Sequence, residues 1–507
     1  MLGNDGMKAS NTLVSLGILV LLVMGENNAE AAKSMPASLT EMWKIIQQQQ
    51  KEIDALKAKA DENAALKQEV NALRSAQQET AKPEANANPA VADGQNPIAK
   101  QPPPTTSKTA KSESERKTDI LAAEVEKLKT KLFIPEKREY KTEYGLGPAA
   151  SEVYRVNRGL SIGGYGEAVF TDYIANKGDR KNTADLERAV LYVGYKFNDW
   201  IVLNNEFEFE HASTGEGSET KGEVSVEFSQ LDFFLHKHAN IRAGLMLMPM
   251  GFINEIHEPT TFHGNYRPDT EQYIIPTTWR EMGAGLFGEI VPGLQYRMYA
   301  VNGLNAKGYS SAGIREGRQG GSFSVAEDFA FTGRLDYEPN FATGVKMGMS
   351  AFVGDAGQNE LYLGQRVNAL TQLYEGHIQW HYRGLEMRTL GALGYIGNAN
   401  VLSAANGTTV GKQNYGLYTE LAYDVMPLLW SDSTHYLAPF FRYERYNTLA
   451  SVPEGFDYDK KWDRWIYQAG LTYKPIPNIA IKADYRNIHS SGGGLPHEFN
   501  LGLGFIY

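Results

Sequence analysis

From about Leu160 to Tyr507 the chain is a succession of sixteen short segments in which apolar and polar residues alternate with a period of two. The series opens with "LSIGGYGEAVF" at Leu160, "LERAVLYVGYKF" at Leu186, "WIVLNNEFEFEH" at Trp200 and "GEVSVEFSQLDFFLH" at Gly222. It closes with "NIAIKADYRN" at Asn478 and "HEFNLGLGFIY" at His497. A period of two is that of a β-strand with one wet and one dry face. In Trp200–His211, Leu203, Phe207 and Phe209 share one side, and Asn204, Glu206, Glu208 and Glu210 the other. In the last segment Phe499, Leu501, Leu503, Phe505 and Tyr507 form a dry side opposite Asn500, Gly502 and Gly504.

The connections alternate in length. Asn198-Asp199, Lys237-His238, Pro292-Gly293, Arg383-Gly384 and Pro475-Ile476-Pro477 read as tight turns. Long polar stretches intervene, among them Thr171–Ala184, Met248–Thr278 and Asn302–Asp328, and Met426–His435 is the one long connection on the short side. An even number of antiparallel strands, with short turns at one end and long loops at the other, is the outer-membrane barrel pattern. A soluble sandwich shares the period, but sixteen strands exceed one sandwich core. A closed sheet leaves no edge and satisfies every backbone group inside lipid. Trp, Tyr and Phe recur near segment ends, where interfacial girdles sit. The expected fold is therefore all-β: a 16-stranded antiparallel transmembrane β-barrel over 160–507 with an aqueous lumen, preceded by an N-terminal α-helical coiled coil.

The first 159 residues have a different texture. Lys8, the apolar run Asn11–Gly25 and Ala29-Glu30-Ala31 read as a signal peptide over 1–31. In Ser38–Ser75, Leu39, Met42, Ile46, Ile53, Leu56 and Ala60 keep heptad spacing, and Asn63, Leu66, Val70 and Leu73 resume it after a slip. So narrow an apolar seam is buried by pairing with copies of itself, with Asn63 favouring one register. Residues 79–111 are a disordered Pro/Ala-rich linker by composition. A short helix over 113–133 follows, with Leu121, Val125, Leu128 and Leu132 on one side, and Pro135 ends it. In an even-stranded barrel the chain enters from the short-turn side, so this region is expected in the periplasm.

A formal charge of −10 leaves no basic surplus for nucleic acid. The absence of cysteine excludes disulfides, thiolate metal sites and Cys nucleophiles. Gly163–Gly166 and Gly391–Gly397 lie inside strand patterns and open no helix, so neither is a nucleotide loop. His257-Glu258-Pro259 lacks the second His of the helical zinc signature, and His236 with His238 reads as a solvated turn. No Ser–His–acid set stands out. No catalytic residue, cofactor or metal is expected, and the protein is not expected to be an enzyme.

The opening "LSIGGYGEAVF", the sixteen-strand count, the long third outer loop and the terminal aromatic resemble the Gram-negative outer-membrane porins, and among them the phosphate-selective porin O and P family. The resemblance spans Leu160–Tyr507 and implies a homotrimer of passive channels, each narrowed by a third loop folded inward. Here that loop is Pro249–Trp279, with Glu255, His257, Glu258, His263, Arg267, Asp269 and Glu271, and Arg280 at its end. Such groups would set the pore constriction. By period, Arg188, Lys196, Arg242, Arg297, Arg334, Lys346, Arg388, Arg442, Lys482 and Arg486 are expected lumen bases. Glu167, Glu206, Glu208, Glu210, Glu223, Glu227, Glu386, Glu420, Glu444 and Asp484 are the expected lumen acids. This mixture departs from a basic ladder and suggests a transverse field that orients polar solutes. The resemblance further implies that Phe499, Leu501, Leu503, Phe505 and Tyr507 are an assembly signal for the barrel-insertion machinery, on a strand that closes the sheet against Leu160–Phe170. The expected function is diffusion of small hydrophilic solutes, polar or anionic and including phosphate, through a barrel bathed in outer-membrane lipid. The alternative is a structural anchor whose coiled coil tethers the membrane to peptidoglycan.

Overall fold

The computed structural model describes residues 140–212 and 222–507. The expected signal peptide, coiled coil, linker and 113–133 helix lie outside the described residues. Sixteen long strands follow one another: β1 Gly159–Ala175, β2 Thr183–Lys196, β3 Ile201–Glu210, β4 Val224–His236, β5 Ala239–Leu247, β6 Arg280–Val291, β7 Leu294–Asn302 and β8 Phe329–Tyr337. Then come β9 Val345–Asp355, β10 Leu370–Tyr382, β11 Leu385–Ile396, β12 Gln413–Tyr423, β13 Tyr436–Ser451, β14 Asp463–Ile476, β15 Ile479–Ser490 and β16 His497–Ile506. Each pairs antiparallel with its neighbours in sequence, and β1 pairs with both β2 and β16, so the sheet is closed. Tyr507 and Gly164 exchange two backbone hydrogen bonds of 3.0 Å at the seam. The first outer stretch is shorter than expected from Thr171, because β1 continues to Ala175 and leaves only 176–182 as connection.

The two faces are inverted relative to a water-soluble protein. Leu160, Ile162, Phe329, Phe331, Met349 and Leu503 are exposed, whereas Arg242, Arg442, Glu206, Glu444 and Asp484 are buried. Apolar side chains on the outside of a closed sheet have acyl chains as their natural partner. Trp200, Tyr382, Tyr423 and Tyr507 are exposed at the short-turn end, at the place of an interfacial girdle.

The lumen is largely filled. Met248, Met250, Ile274, Ile275 and Trp279 of the β5–β6 connection pack on Tyr299 and Val301 of β7 and Tyr309 of the β7–β8 connection. Trp279 meets Phe352 of β9 at a ring separation of 4.6 Å. From the short-turn end the chain before β1 also enters the barrel. It forms a single helical turn, α1, at Glu152–Arg155. Leu146, Ala149 and Ala150 are buried against Tyr165, Tyr192 and Phe228 of the wall.

Candidate functional site in the lumen

The β5–β6 loop starts and ends on adjacent strands, and Asn254 ties its two stems together. The Asn254 amide donates to the carbonyls of Met248 (2.7 Å) and Trp279 (2.9 Å) and accepts from the Trp279 amide (2.6 Å). Beyond this knot the loop reaches the far wall. Its carbonyls at Thr261, His263 and Gly264 accept from Arg388 (2.7 Å), Arg442 (2.7 Å) and Lys482 (2.9 Å) on β11, β13 and β15. Asn265 donates to Asp484 at 2.6 Å, the Thr270 amide donates to Glu444 at 3.1 Å, and Tyr418 donates to Glu271 at 2.6 Å. An irregular buried loop must find partners for its backbone, and wall arginines and lysines supply charge-assisted ones. The loop therefore crosses the lumen instead of capping the mouth.

Underneath it lies a feature with only a faint sequence signal, the small-residue run "GLGPAAS" at Gly145–Ser151. The buried Glu258 carboxylate accepts from the amides of Ala149 (2.9 and 3.1 Å) and Ala150 (3.1 Å). Burial pushes the Glu258 carboxyl up to about 7, and those two amides moderate the rise. A Cβ on Gly147 would run into the same carboxylate. Asn204 of β3 donates to the Ala150 carbonyl at 2.8 Å, and Tyr154 donates to Asp232 of β4 at 2.6 Å. Asp232 in turn holds Arg242 through contacts of 2.7 and 2.9 Å.

The loop's other charged residues separate into distinct groups. Glu255 pairs with Arg297 at 3.1 Å, and Asp269 pairs with Arg486. Both loop histidines are buried. His263 approaches Thr472 at 3.0 Å and Glu386 at 3.5 Å and stacks on Phe440. His257 faces Glu206 of β3 at 3.2 Å and Glu227 of β4 at 3.4 Å through Nε2, while Nδ1 meets the Asn254 carbonyl at 3.0 Å. Burial opposes charge on this ring, the Glu206 carboxylate outweighs it, and His257 titrates above its usual value. Glu227 owes its position to a bulge: Glu206 pairs with Phe228 and Phe207 with Val226, leaving Glu227 as the extra residue. Among the described residues, Glu206, Glu227 and His257 are the one set of His, Cys, Asp or Glu donors gathered closely enough to hold a metal ion.

On the wall, Arg188 contacts Glu167 at 2.9 Å and Glu208 at 3.6 Å. Arg297 and Arg334 share Asp336, and Arg442 holds Glu420 at 2.6 Å. Several expected wall residues are not buried. Glu223 is exposed, Glu210, Lys196, Glu386 and Arg388 are only part-buried, and Lys346 lies at the short-turn rim beside Glu338 at 3.5 Å. Strand ends sit at the barrel rims, where period alone does not bury a side chain. Asp232, Asp336 and the buried His377 between Glu375 (2.9 Å) and Asp336 (3.2 Å) were not among the expected residues. Nor were Arg315 and Arg318, because the β7–β8 loop they occupy has no period to read.

Two features bear on transport. A cavity of about 780 Å³ opens among the short turns and reaches the inward loop, lined by Tyr144, Glu255, Arg297, Arg334, Asp336 and Lys346 among others. At the long-loop end, Arg267, Arg315, Arg318 and Arg280 form a chain in which each guanidinium acts on the next. Burial, then Arg318 and Arg267, pull Arg315 down to about 9. Arg267 Nε and Nη2, Arg280 Nε and Arg315 Nη1 are buried without a hydrogen-bond partner.

A closed sixteen-stranded sheet, apolar outside and ionised within, defines a β-barrel of the outer-membrane type. The chain belongs to the same family as an uncharacterized protein of Aquifex aeolicus strain VF5, with 39% identity over 372 residues, covering 71% of this chain and 82% of that relative. No family model matches. In shape it is similar to Salmonella typhi OmpF in complex with daunomycin (TM-score 0.47, 14% identity, 69% of this chain and 98% of that one). It is also similar to a loop L8 deletion mutant of OmpT, an outer membrane protein of Vibrio cholerae (TM-score 0.46, 10% identity, 69% and 100%), and to a porin (TM-score 0.38, 10% identity, 69% and 100%).

Proposed function

We propose that this protein is a diffusion channel of the Gram-negative outer membrane for small hydrophilic solutes, with anions such as phosphate favoured. The observation that carries the reading is the charged cavity of about 780 Å³ leading from the short-turn rim to the loop across the lumen, inside a barrel whose outer face is apolar. Ionised walls keep such a passage wet, and the loop narrows it. The preference for anions rests on the Arg267–Arg315–Arg318–Arg280 chain, in which Arg267 Nε and Nη2, Arg280 Nε and Arg315 Nη1 are buried without acceptors. Guanidinium groups stay charged at neutral pH and match phosphate oxygens in geometry. Glu255, Glu258, Asp269 and Glu271 then act as braces that hold the loop or the entering chain, not as a cation filter.

In this reading the protein is a homotrimer, its N-terminal region lies in the periplasm, and β16 with its outward Phe499, Leu501, Leu503, Phe505 and Tyr507 is what the barrel-insertion machinery reads. Planar bilayers test the function. Folded protein should give single-channel steps, and reversal potentials in a salt gradient should show anion preference for both chloride and phosphate. Folded barrels that never conduct would end the channel reading, and a cation preference would end the anion part.

A further inference from the structure

We propose that Glu206, Glu227 and His257 form a site for a divalent transition metal, best fitted by Zn²⁺, that staples the inward loop to the β3–β4 wall. The first argument is geometric. Zinc takes His nitrogen and carboxylate oxygen at about 2.0–2.2 Å in tetrahedral array, which sets neighbouring donors about 3.3–3.6 Å apart. His257 Nε2 lies 3.2 Å from Glu206 Oε1 and 3.4 Å from Glu227 Oε2, and the three residues offer donor atoms that all lie within 4.8 Å of one another. A nitrogen and two carboxylates suit zinc and its neighbours, whereas calcium takes six to eight oxygens.

The surroundings are those of oriented ligands. Nδ1 meets the Asn254 carbonyl and Nε2 the Glu206 carboxylate, so a metal would take the place of the proton between Nε2 and Glu206. Glu227 Oε1 is held by Thr278 at 2.6 Å and Arg280 at 2.9 Å, leaving Oε2 for the metal. The second observation is independent of the spacing. Glu206 Oε2 is buried without a hydrogen-bond partner, and Glu208 and Glu227 turn their carboxyl groups on each other. Native interiors satisfy nearly all such atoms, so an orphaned acid oxygen beside two facing carboxyl groups calls for a cation. Of the arginines, Arg280 serves Glu227, and Arg188 divides its charge among Glu167, Glu187 and Glu208. Glu208 or a water would complete the fourth position.

The consequence is mechanical. His257 follows the Asn254 knot by three residues and precedes Glu258, which grips the chain entering the barrel. A metal there would set the stiffness of the whole obstruction from one point on the wall.

The test uses the full chain purified in detergent and stripped with a chelator. Titration with Co²⁺ should give the visible bands of a four-coordinate site at one ion per chain, and one equivalent of Zn²⁺ should abolish them. His257→Gln and Glu206→Gln should lose the bands while keeping the heat-modifiable mobility of a folded barrel. Absence of bands in the native chain, or bands that persist in His257→Gln, would overturn the site. X-ray absorption on the Zn²⁺-loaded native chain guards against a variant that does not fold. It should show a nitrogen and oxygen shell at about 2.0–2.1 Å with a histidine signature, and a shell of six oxygens would overturn the proposal.

Discussion

The Glu258 carboxylate accepts the Ala149 amide at 2.9 Å, a contact spanning 109 positions of sequence that fastens the chain entering the barrel to the loop that crosses it. Neither piece belongs to the sheet, and both lie inside it. The obstruction is therefore built from two separate segments joined through one buried acid.

Glu258→Ala should loosen that joint. It removes the acceptor of three hydrogen bonds and leaves two buried amides unpaired, at about 1–3 kcal/mol each. The expected outcome is a larger single-channel conductance with unchanged heat-modifiable mobility, because no strand pairing is touched. Unchanged conductance would show that the 140–158 segment does not restrict flow.

Arg315 gives the anion preference a pH signature. Its pKa is lowered to about 9, so the group is charged at pH 7 and loses its proton as pH rises through about 9. Anion preference, read from reversal potentials, should hold from pH 6 to 8 and weaken between pH 8 and 10. Arg315→Gln should start with lower preference at pH 7 and lack that step. Identical profiles would remove Arg315 from the selectivity path.

Arg442 links the wall to the loop. It binds Glu420 at 2.6 Å, Gln468 at 2.9 Å and the His263 carbonyl at 2.7 Å. Breaking such a buried pair by removing one partner costs about 3–5 kcal/mol. Arg442→Leu should lower the denaturant midpoint of the barrel, and adding Glu420→Gln should recover part of the loss, since the stranded charge is then gone. Denaturation followed by intrinsic fluorescence measures both. Equal midpoints for native chain and Arg442→Leu would count against the link.

Tyr507 lies beside the seam, exposed on the outer face and bonded through its backbone to Gly164. Tyr507→Asp should reduce the yield of heat-modifiable barrel in the outer membrane while the exported chain still accumulates. A normal barrel yield would separate this residue from assembly.

The barrel was largely legible in the sequence, because a strand at a lipid–water boundary shows its two solvents directly as a period of two. Sixteen such segments, alternating with short and long connections, leave few closed solutions. Asp232, which was not expected in the lumen, shows where that legibility stops. Glu227 was expected there and is buried; by period Asp232 belongs to the opposite face, and only the bulge opposite Glu206 and Phe207 turns both inward. A bulge is one extra residue with no composition of its own, so local pattern cannot announce it.

What the amino-acid order determined by itself was the sheet: its strand count, its alternating connections and which side of most strands is apolar, all set by neighbours two residues apart. What only the tertiary structure decided was the content of the lumen. Whether 248–279 crosses the barrel, whether 140–158 enters beneath it, and which acid meets which base depend on partners such as Ala149 with Glu258 or Asn265 with Asp484, 219 positions away. Those pairings answer to the hydrogen-bonding needs of buried backbone and buried charge, which are met wherever the closed sheet happens to bring a partner within reach.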